Sequence, residues 1–363
     1  MGRLYQSAQG RTALARKNYT DAVANLEHAL ELSPKASAIE YSLGLAYRGL
    51  GQTDKAEAHL RQRGDKEAVP VDLWMDDLRG LVHSAVAFEN RGLRALDSGD
   101  YTNAERDFRQ ALIFAPDNAA LRHELATALL VAGKTKEAFD EFTEITKRSP
   151  DYARAYYSLG VLLVSEGRLR EAVDRFAAAA KFDPDYAGAE LQMAEALRRS
   201  GRAGDALAHY KRAIALDPAA AEAHQGYAMA LGRLNRYREA RESLNEARRA
   251  QPDQPALAQA LARLLAAAPD DQVRDGRQAL EIVQTLMKKA HDVDVYEAMA
   301  MTLAELGRYD QAVQWQQGAI AGAGRSGRPD LAARLADNLK LFEDHRPCRA
   351  PWRDDDSAVP GVK

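Results

Sequence analysis

The chain has 363 residues, of which 46% are hydrophobic and 28% are charged, a composition typical of folded domains and unlike that of disordered proteins. Its 50 Lys and Arg residues nearly balance 53 Asp and Glu residues, and this net charge of −3 argues against a nucleic-acid partner or an anionic membrane surface. No run approaches the roughly 18 apolar residues of a membrane-spanning helix, and a single cysteine, Cys348, excludes both an intramolecular disulfide and a multi-cysteine metal site.

Along the chain, the clearest feature is an internal repeat of constant length. Prolines recur once in every repeat, and they are Pro116, Pro150, Pro184, Pro218 and Pro252. A small residue precedes each proline at a fixed spacing, and these residues are Gly92, Ala126, Gly160, Ala194 and Ala228. Proline cannot continue a helix, and two helices approach closely only where side chains are small. The repeat therefore predicts tandem pairs of antiparallel helices.

This pattern resembles the tetratricopeptide repeat (TPR) family, whose unit of about 34 residues is a helix–turn–helix. The resemblance extends over most of the chain. It implies an all-α fold, a right-handed superhelical solenoid of stacked helix–turn–helix units with a terminal capping helix. It is closest to bacterial multi-repeat arrays, and the Ala- and Arg-rich composition agrees with a bacterial origin.

In chain order, residues 3–70 are predicted to form two N-terminal units, the second with a shortened second helix. Residues 71–84 have apolar side chains at helical spacing and predict an inserted amphipathic helix. That helix either patches a discontinuity in the stack or exposes Trp74 and Met75 as a second interface. Five units in phase follow over residues 85–254.

Beyond these units, residues 255–292 predict a variant helical pair with a long loop, and residues 293–326 predict a C-terminal unit. Residues 327–344 predict a capping helix, which a solenoid needs because its last unit would otherwise expose an apolar surface. Residues 345–363 predict an irregular tail, with Trp352 packed onto the last helices.

The sequence contains no phosphate-binding loop, no zinc-protease or serine-hydrolase motif and no paired cysteines. Repeats, cap and tail account for nearly every residue, so no stretch is left for a separate catalytic domain. We therefore expect a protein that is not an enzyme and that uses no metal and no cofactor.

In the TPR family, the first helix of each unit lines a concave groove. Carried over unit by unit, the resemblance implies a binding set of Glu89, Asn90, His123, Glu124, Thr127, Arg154, Tyr157, Ser158, Val161, Gln192, Glu195, Arg199, Gln225 and Met229. Of the lysines and asparagines by which some members grip a peptide carboxylate, only one asparagine has a counterpart here, Asn90, so we do not expect that carboxylate site. We expect a protein or peptide partner with basic and apolar side chains, whose charges meet Glu89, Glu124 and Glu195.

The leading hypothesis is a non-catalytic scaffold that binds a peptide or protein in the groove. A groove for a glycan, lipid or small molecule is the first alternative, which clustered aromatic side chains would favour, but Tyr157 is the main aromatic residue predicted there. The second alternative is a regulatory or adaptor arm of a larger enzyme or of a secretion or assembly complex. The compartment is open: cytoplasmic by default, periplasmic or secreted if a signal peptide has been removed. The oligomeric state is also open.

Overall fold

The computed structural model describes residues 2–63, 73–353 and 356, with side chains from residue 5 onward except 73–84. The described residues form nineteen α-helices and no strand, which confirms the predicted all-α repeat solenoid. The helices are α1 (Gly2–Ala15), α2 (Tyr19–Leu32), α3 (Ser37–Gly49), α4 (Thr53–Arg61), α5 (Leu73–Asp97), α6 (Tyr101–Phe114), α7 (Ala119–Val131), α8 (Thr135–Arg148), α9 (Ala153–Ser165), α10 (Leu169–Phe182), α11 (Ala187–Arg199), α12 (Ala203–Leu216), α13 (Ala221–Arg233), α14 (Tyr237–Ala250), α15 (Pro255–Ala267), α16 (Gly276–Met287), α17 (Val293–Glu305), α18 (Tyr309–Arg325) and α19 (Pro329–Glu343).

The turns between paired helices have the same backbone conformation in successive repeats. Gly133 and Gly167 follow first helices with φ angles of 78° and 74°, in the left-handed region that glycine adopts without a steric penalty. Asn235 takes the equivalent place in a later unit at φ 57°, and asparagine tolerates this conformation better than most residues. The turn residue of each repeat therefore sets the end of its first helix.

Small residues permit the close crossing of the two helices in a pair. A Cβ atom added at Gly160 would lie 2.5 Å from Cε1 of Phe176, whose side chain is fully buried. Gly226 of α13 makes a similar approach to Tyr210 on the second helix of the preceding pair, where an added Cβ would lie 2.4 Å from Cε1. A large ring on one helix thus fills the space that a missing side chain leaves on another.

The chain divides into two compact units, each larger than a single repeat. The first unit is Met1–Asn90 with Ile113–Ala115, and the second unit is Arg91–Leu112 with Pro116–Lys363. The core of the first unit is formed by α2, α3 and α4. In the second unit, a long apolar core runs through α9 to α17, and α15 buries one leucine after another along it.

In the second unit, the first helices of successive pairs lie side by side. Contacts join α9 to α11, α11 to α13, α13 to α15 and α15 to α17, while each first helix also packs against the second helix of its pair. A hydrogen bond from α7 to α9 extends the row. We call the surface of this row that faces away from the second helices the inner face.

The predicted inserted helix over 71–84 does not form a separate element. Leu73–Asp97 is one continuous helix of 25 residues, so the expected boundary between residues 84 and 85 is absent. This segment contains no proline, and nothing else in it interrupts the helical backbone. Trp74 and Met75 lie in the first turn of α5, and the proposed second interface on their side chains falls outside the described residues.

The C-terminal elements begin with α15 and α16, which are joined by residues 268–275. Leu331 and Leu335 of α19 are buried against Ala319 and Ala323 of α18, so α19 covers the end of the stack. Among the described residues, none of the helices is both long and apolar enough to cross a membrane.

Candidate functional site

The predicted groove residues lie on first helices, but their exposure differs widely. Glu89 and Asn90 are on the part of α5 that belongs to the first unit. In the second unit Arg154 is exposed, whereas Gln192 and Met229 are buried. The partly buried members are Glu124, Thr127, Tyr157, Ser158, Val161, Arg199, Gln225 and His123.

Three tyrosines come together on the inner face where α9 and α11 begin, and we call Tyr152, Tyr157 and Tyr186 the tyrosine cluster. The ring centroids of Tyr157 and Tyr186 are 4.9 Å apart. Gly188 makes room for both rings, because an added Cβ there would lie 3.2 Å from Cε2 of Tyr186. Burial, reinforced by the neighbouring Tyr157, raises the pKa of Tyr186 to about 12, so its hydroxyl stays protonated at neutral pH.

His123 borders the tyrosine cluster and is neutral at pH 7. Its Nε2 atom lies 3.1 Å from Oγ of Ser158, and its ring centroid is 5.9 Å from that of Tyr152. Burial, together with the positive charge of Arg154, lowers the pKa of His123 to about 4. The exposed Arg154 guanidinium is therefore the cationic group beside these rings. We call the cluster with His123 and Arg154 the proximal section of the inner face.

Glu195 does not offer a free charge to a partner, which corrects the prediction from the sequence. Its side chain is 2% exposed, and its Oε1 accepts a hydrogen bond of 2.7 Å from Arg198. The Tyr210 hydroxyl donates a second hydrogen bond of 2.7 Å to Oε2. Because Arg198 lies three residues further along α11, one helical turn brings its guanidinium onto the carboxylate. The predicted acidic floor thus loses one of its three carboxylates to an internal ion pair.

The C-terminal tail (residues 346–353 and 356) lies on the inner face of the second unit. Its described residues are not helical, and Trp352 packs on α13, well before the last helices where the sequence placed it. An added Cβ at Gly232 would lie 3.1 Å from Cζ3 of the indole. Gly232 thus leaves the space that the Trp352 ring occupies.

Arginines on three helices bind the tail. Nε of Arg263 donates a hydrogen bond of 2.9 Å to the Pro351 carbonyl, and Nη2 of the same side chain is 3.5 Å from Oδ2 of Asp356. Nη2 of Arg334 is 3.5 Å from Oδ1 of Asp356, and Arg198 donates to the Asp356 carbonyl oxygen. We call the area under the tail, formed by α11, α13, α15 and α17 together with Arg334 of α19, the distal section of the inner face.

Arg263 is itself held in place by the helix beyond it. Its Nη1 donates a hydrogen bond of 2.7 Å to Glu297 of α17. Asn338 of α19 donates to the other oxygen of that carboxylate at 3.2 Å. Burial opposes the charge of Arg263, but the adjacent Glu297 and Asp356 outweigh it and raise the pKa of its guanidinium. The arginine therefore stays charged and oriented towards the tail.

Reasoning from the sequence missed most of these contacts. Tyr152 and Tyr186 are N-cap residues that precede first helices, whereas the predicted binding set contains only residues within those helices. Their separation by one full repeat was the available signal. No local pattern pointed to Arg198 or Arg263 as tail ligands. Among the described residues, no group of three or more His, Cys, Asp or Glu side chains is arranged to hold a metal ion.

Comparison with known proteins agrees with this architecture. A tetratricopeptide repeat model matches residues 13–70, 95–162 and 197–264. Two further tetratricopeptide repeat models match residues 153–186 and 293–325. No curated protein sequence is significantly similar to the chain.

Two solved structures share the fold at low sequence identity. A tetratricopeptide repeat protein from Parabacteroides merdae is 16% identical, with a TM-score of 0.55 over 72% of this chain and 99% of that one. The pilF protein of Pseudomonas aeruginosa is 18% identical, with a TM-score of 0.50 over 61% of this chain and 99% of that one.

Proposed function

Because the chain belongs to the tetratricopeptide repeat family, we propose that it is a non-catalytic protein-interaction scaffold that binds an extended segment of a partner protein on the inner face of its second unit. The observation behind this proposal is the chain's own tail, a non-helical segment that lies along four first helices. An extended peptide therefore fits this surface. The proximal section, beside the segment that the tail covers, is the proposed contact for the partner.

The chemistry of the proximal section supports a partner that differs from the one the sequence predicts. With Glu195 paired internally, a basic partner has less to bind. The exposed Arg154 beside the packed tyrosine rings suits a carboxylate or carbonyl next to an apolar side chain. Arginine and tyrosine are the residue types that most often dominate protein interfaces, since they combine large contact area with directed hydrogen bonds.

The test is affinity capture with the full chain as bait, followed by titration of the captured partner. We expect Arg154→Glu to weaken binding by at least about tenfold, since loss of one interface arginine costs roughly 1–2 kcal/mol or more. Arg170→Glu is the matched control, because Arg170 is an exposed arginine on the second helix α10. If the Arg154→Glu variant binds the partner as tightly as the wild-type chain does, the proximal section is not the binding site.

The tyrosine cluster also supports a second candidate, a groove for a glycan or other small ligand. The Tyr157 and Tyr186 rings, which contact each other at a tilt, offer apolar surfaces and hydroxyl hydrogen-bond donors, the combination that small-ligand sites use. Thermal unfolding in the presence of soluble oligosaccharides separates the two candidates. A ligand that raises the Tm of the chain, together with no captured protein, would favour the glycan groove.

A further inference from the structure

We propose that the distal section is a second binding site, for a partner segment in which an aromatic residue is followed four positions later by an acidic residue. The chain's own tail occupies this site until such a segment displaces it. The inference rests on the proposed scaffold function, but it concerns different residues from the proximal section. The two proposals can therefore fail separately.

The surface of α13 at Gly232 forms a seat for the aromatic ring of the tail. Trp352 lies over Gly232, where an added Cβ would come within 3.1 Å of the indole ring, closer than most side-chain contacts. Tyr237 borders the same seat, with Cε1 at 3.6 Å from an added Cβ at Gly232. Met229 and Arg198 also line this depression. The site therefore selects a large planar side chain.

Positively charged side chains surround the acidic residue of the tail. Arg263 and Arg334 each place an Nη2 atom 3.5 Å from a carboxylate oxygen of Asp356, and they approach from α15 and α19. Arg198 donates to the main-chain carbonyl of the same residue. Two guanidinium groups from two helices thus converge on one carboxylate, and a third holds the main chain of the same residue, an arrangement that recognises an acidic residue in a partner.

Most of the tail is held by side chains, either its own or those of the helices beneath it, and not by pairing between main chains. Among the described residues, 347–352 make no backbone–backbone hydrogen bond. The contacts are the Trp352 ring, the Asp356 carboxylate, arginine bonds to carbonyl oxygens and the ion pair of Arg349 with Glu305 at 2.6 Å. A partner segment with the same side chains can make the same contacts, so displacement is an exchange between equivalent ligands.

Because the tail is part of the chain, it competes at a high effective concentration, on the order of millimolar for a short tether. A partner must overcome this competition, and weakening the tail should improve its binding by at least about tenfold. The probe is a fluorescent synthetic peptide of residues 346–357 in which Cys348 is replaced by serine.

The experiment compares the full wild-type chain with the full chain carrying Trp352→Ala and Asp356→Ala, each titrated with the probe. We expect the double variant to bind the probe at least tenfold more tightly than the wild type. Adding Gly232→Leu to the double variant should remove this binding, because the leucine fills the seat of the indole ring. Gly204→Leu is the matched control, since an added Cβ at Gly204 meets nothing within 4 Å.

A second measurement needs no variant and covers the case in which the double variant unfolds. Cys348 of the tail is 5% exposed, and burial raises the pKa of its thiol, so a thiol reagent should react with it slowly in the wild-type chain. A saturating concentration of the probe should displace the tail and raise the reaction rate at least tenfold. A probe with Trp352→Ala and Asp356→Ala should leave the rate unchanged.

The proposal is overturned if the double variant is folded and binds the probe no better than the wild type, or if Gly232→Leu has no effect on binding. An unchanged thiol rate at saturating probe would also overturn it. Each of these results would mean that the tail is a permanent part of the fold that no partner segment replaces. None involves Arg154, so the proposed function would stand or fall on its own test.

Discussion

His123 has its ring close to both Phe142 and Tyr152, with centroid distances of 5.1 and 5.9 Å. Burial there disfavours the protonated imidazole, and Arg154 adds to the effect, which lowers the pKa of His123 to about 4. In the unfolded chain the pKa returns to about 6.5. Between these values the unfolded state binds more protons than the folded state, so the free energy of unfolding falls as the pH falls.

We predict that the chain loses stability from about pH 6.5 down to about pH 4, by roughly 2–3 kcal/mol in total from this group. Denaturant unfolding at pH 7.0 and pH 5.0 measures most of the effect before carboxylates titrate. His123→Gln should reduce the difference between the two pH values. His28→Gln should preserve it, because His28 has a side chain that is 53% exposed. An identical pH dependence in wild type and His123→Gln would contradict the assignment.

The helix pairs depend on close crossings that a single methyl group should disturb. An added Cβ at Gly160 would lie 2.5–2.8 Å from three atoms of the Phe176 ring, which is fully buried and cannot move aside. We predict that Gly160→Ala lowers the free energy of unfolding by about 1–3 kcal/mol, although alanine favours helix formation more than glycine does.

Gly204→Ala is the control for this prediction, because Gly204 lies in the first turn of α12 with nothing within 4 Å of an added Cβ. It should leave stability unchanged or raise it slightly. Denaturant unfolding monitored by circular dichroism checks both variants. A Gly160→Ala chain as stable as the wild type would show that the α9–α10 crossing can widen without cost.

The sequence predicted the helix pairs better than it predicted where one helix continues into the next. The turn glycines and the recurring prolines mark the ends of α7 to α12 and of α14, because both residue types have a direct effect on the backbone. Residues 73–97 contain neither a proline nor a glycine in the left-handed conformation, so α5 runs on past the expected boundary. The tyrosine cluster was missed for a related reason, since two of its members lie just outside the helices.

In the second unit as a whole, the tail joins helices that are far apart in sequence. Arg198 and Asp356 are separated by 158 positions, and Arg263 and Pro351 by 88. The ion pairs of Asp356 with Arg263 and Arg334 are partly exposed and 3.5 Å long, so dissolved salt should screen them. The attachment of the tail should therefore weaken as the ionic strength rises.

We predict that the rate of Cys348 alkylation in the wild-type chain increases several-fold between about 0.1 and 1 M NaCl, because the Debye length falls from about 10 Å to about 3 Å. Asp356→Asn should raise the rate at low salt and remove most of the salt dependence. Arg170→Gln, which changes an exposed charge on α10, should have no effect. A wild-type rate independent of salt would show that apolar contacts of Trp352 hold the tail without help from the ion pairs.

The sequence by itself determined the repeat, the helix pairs, the family and the assignment of the groove residues to first helices. Those features follow from the helical period and the longer period of the repeat, and from proline and glycine, which act on the backbone locally. Only the tertiary structure decided that Glu195 is paired with Arg198 and Tyr210, that tyrosines from two successive repeats meet, and that the tail lies on α13 and α15. The last two outcomes depend on which side chains meet across most of a repeat or, for the tail, across as many as 158 positions, and a local pattern does not contain that distance information. Arg198 is only one helical turn from Glu195, so the sequence allows that pair, but only the structure shows both side chains buried together with Tyr210.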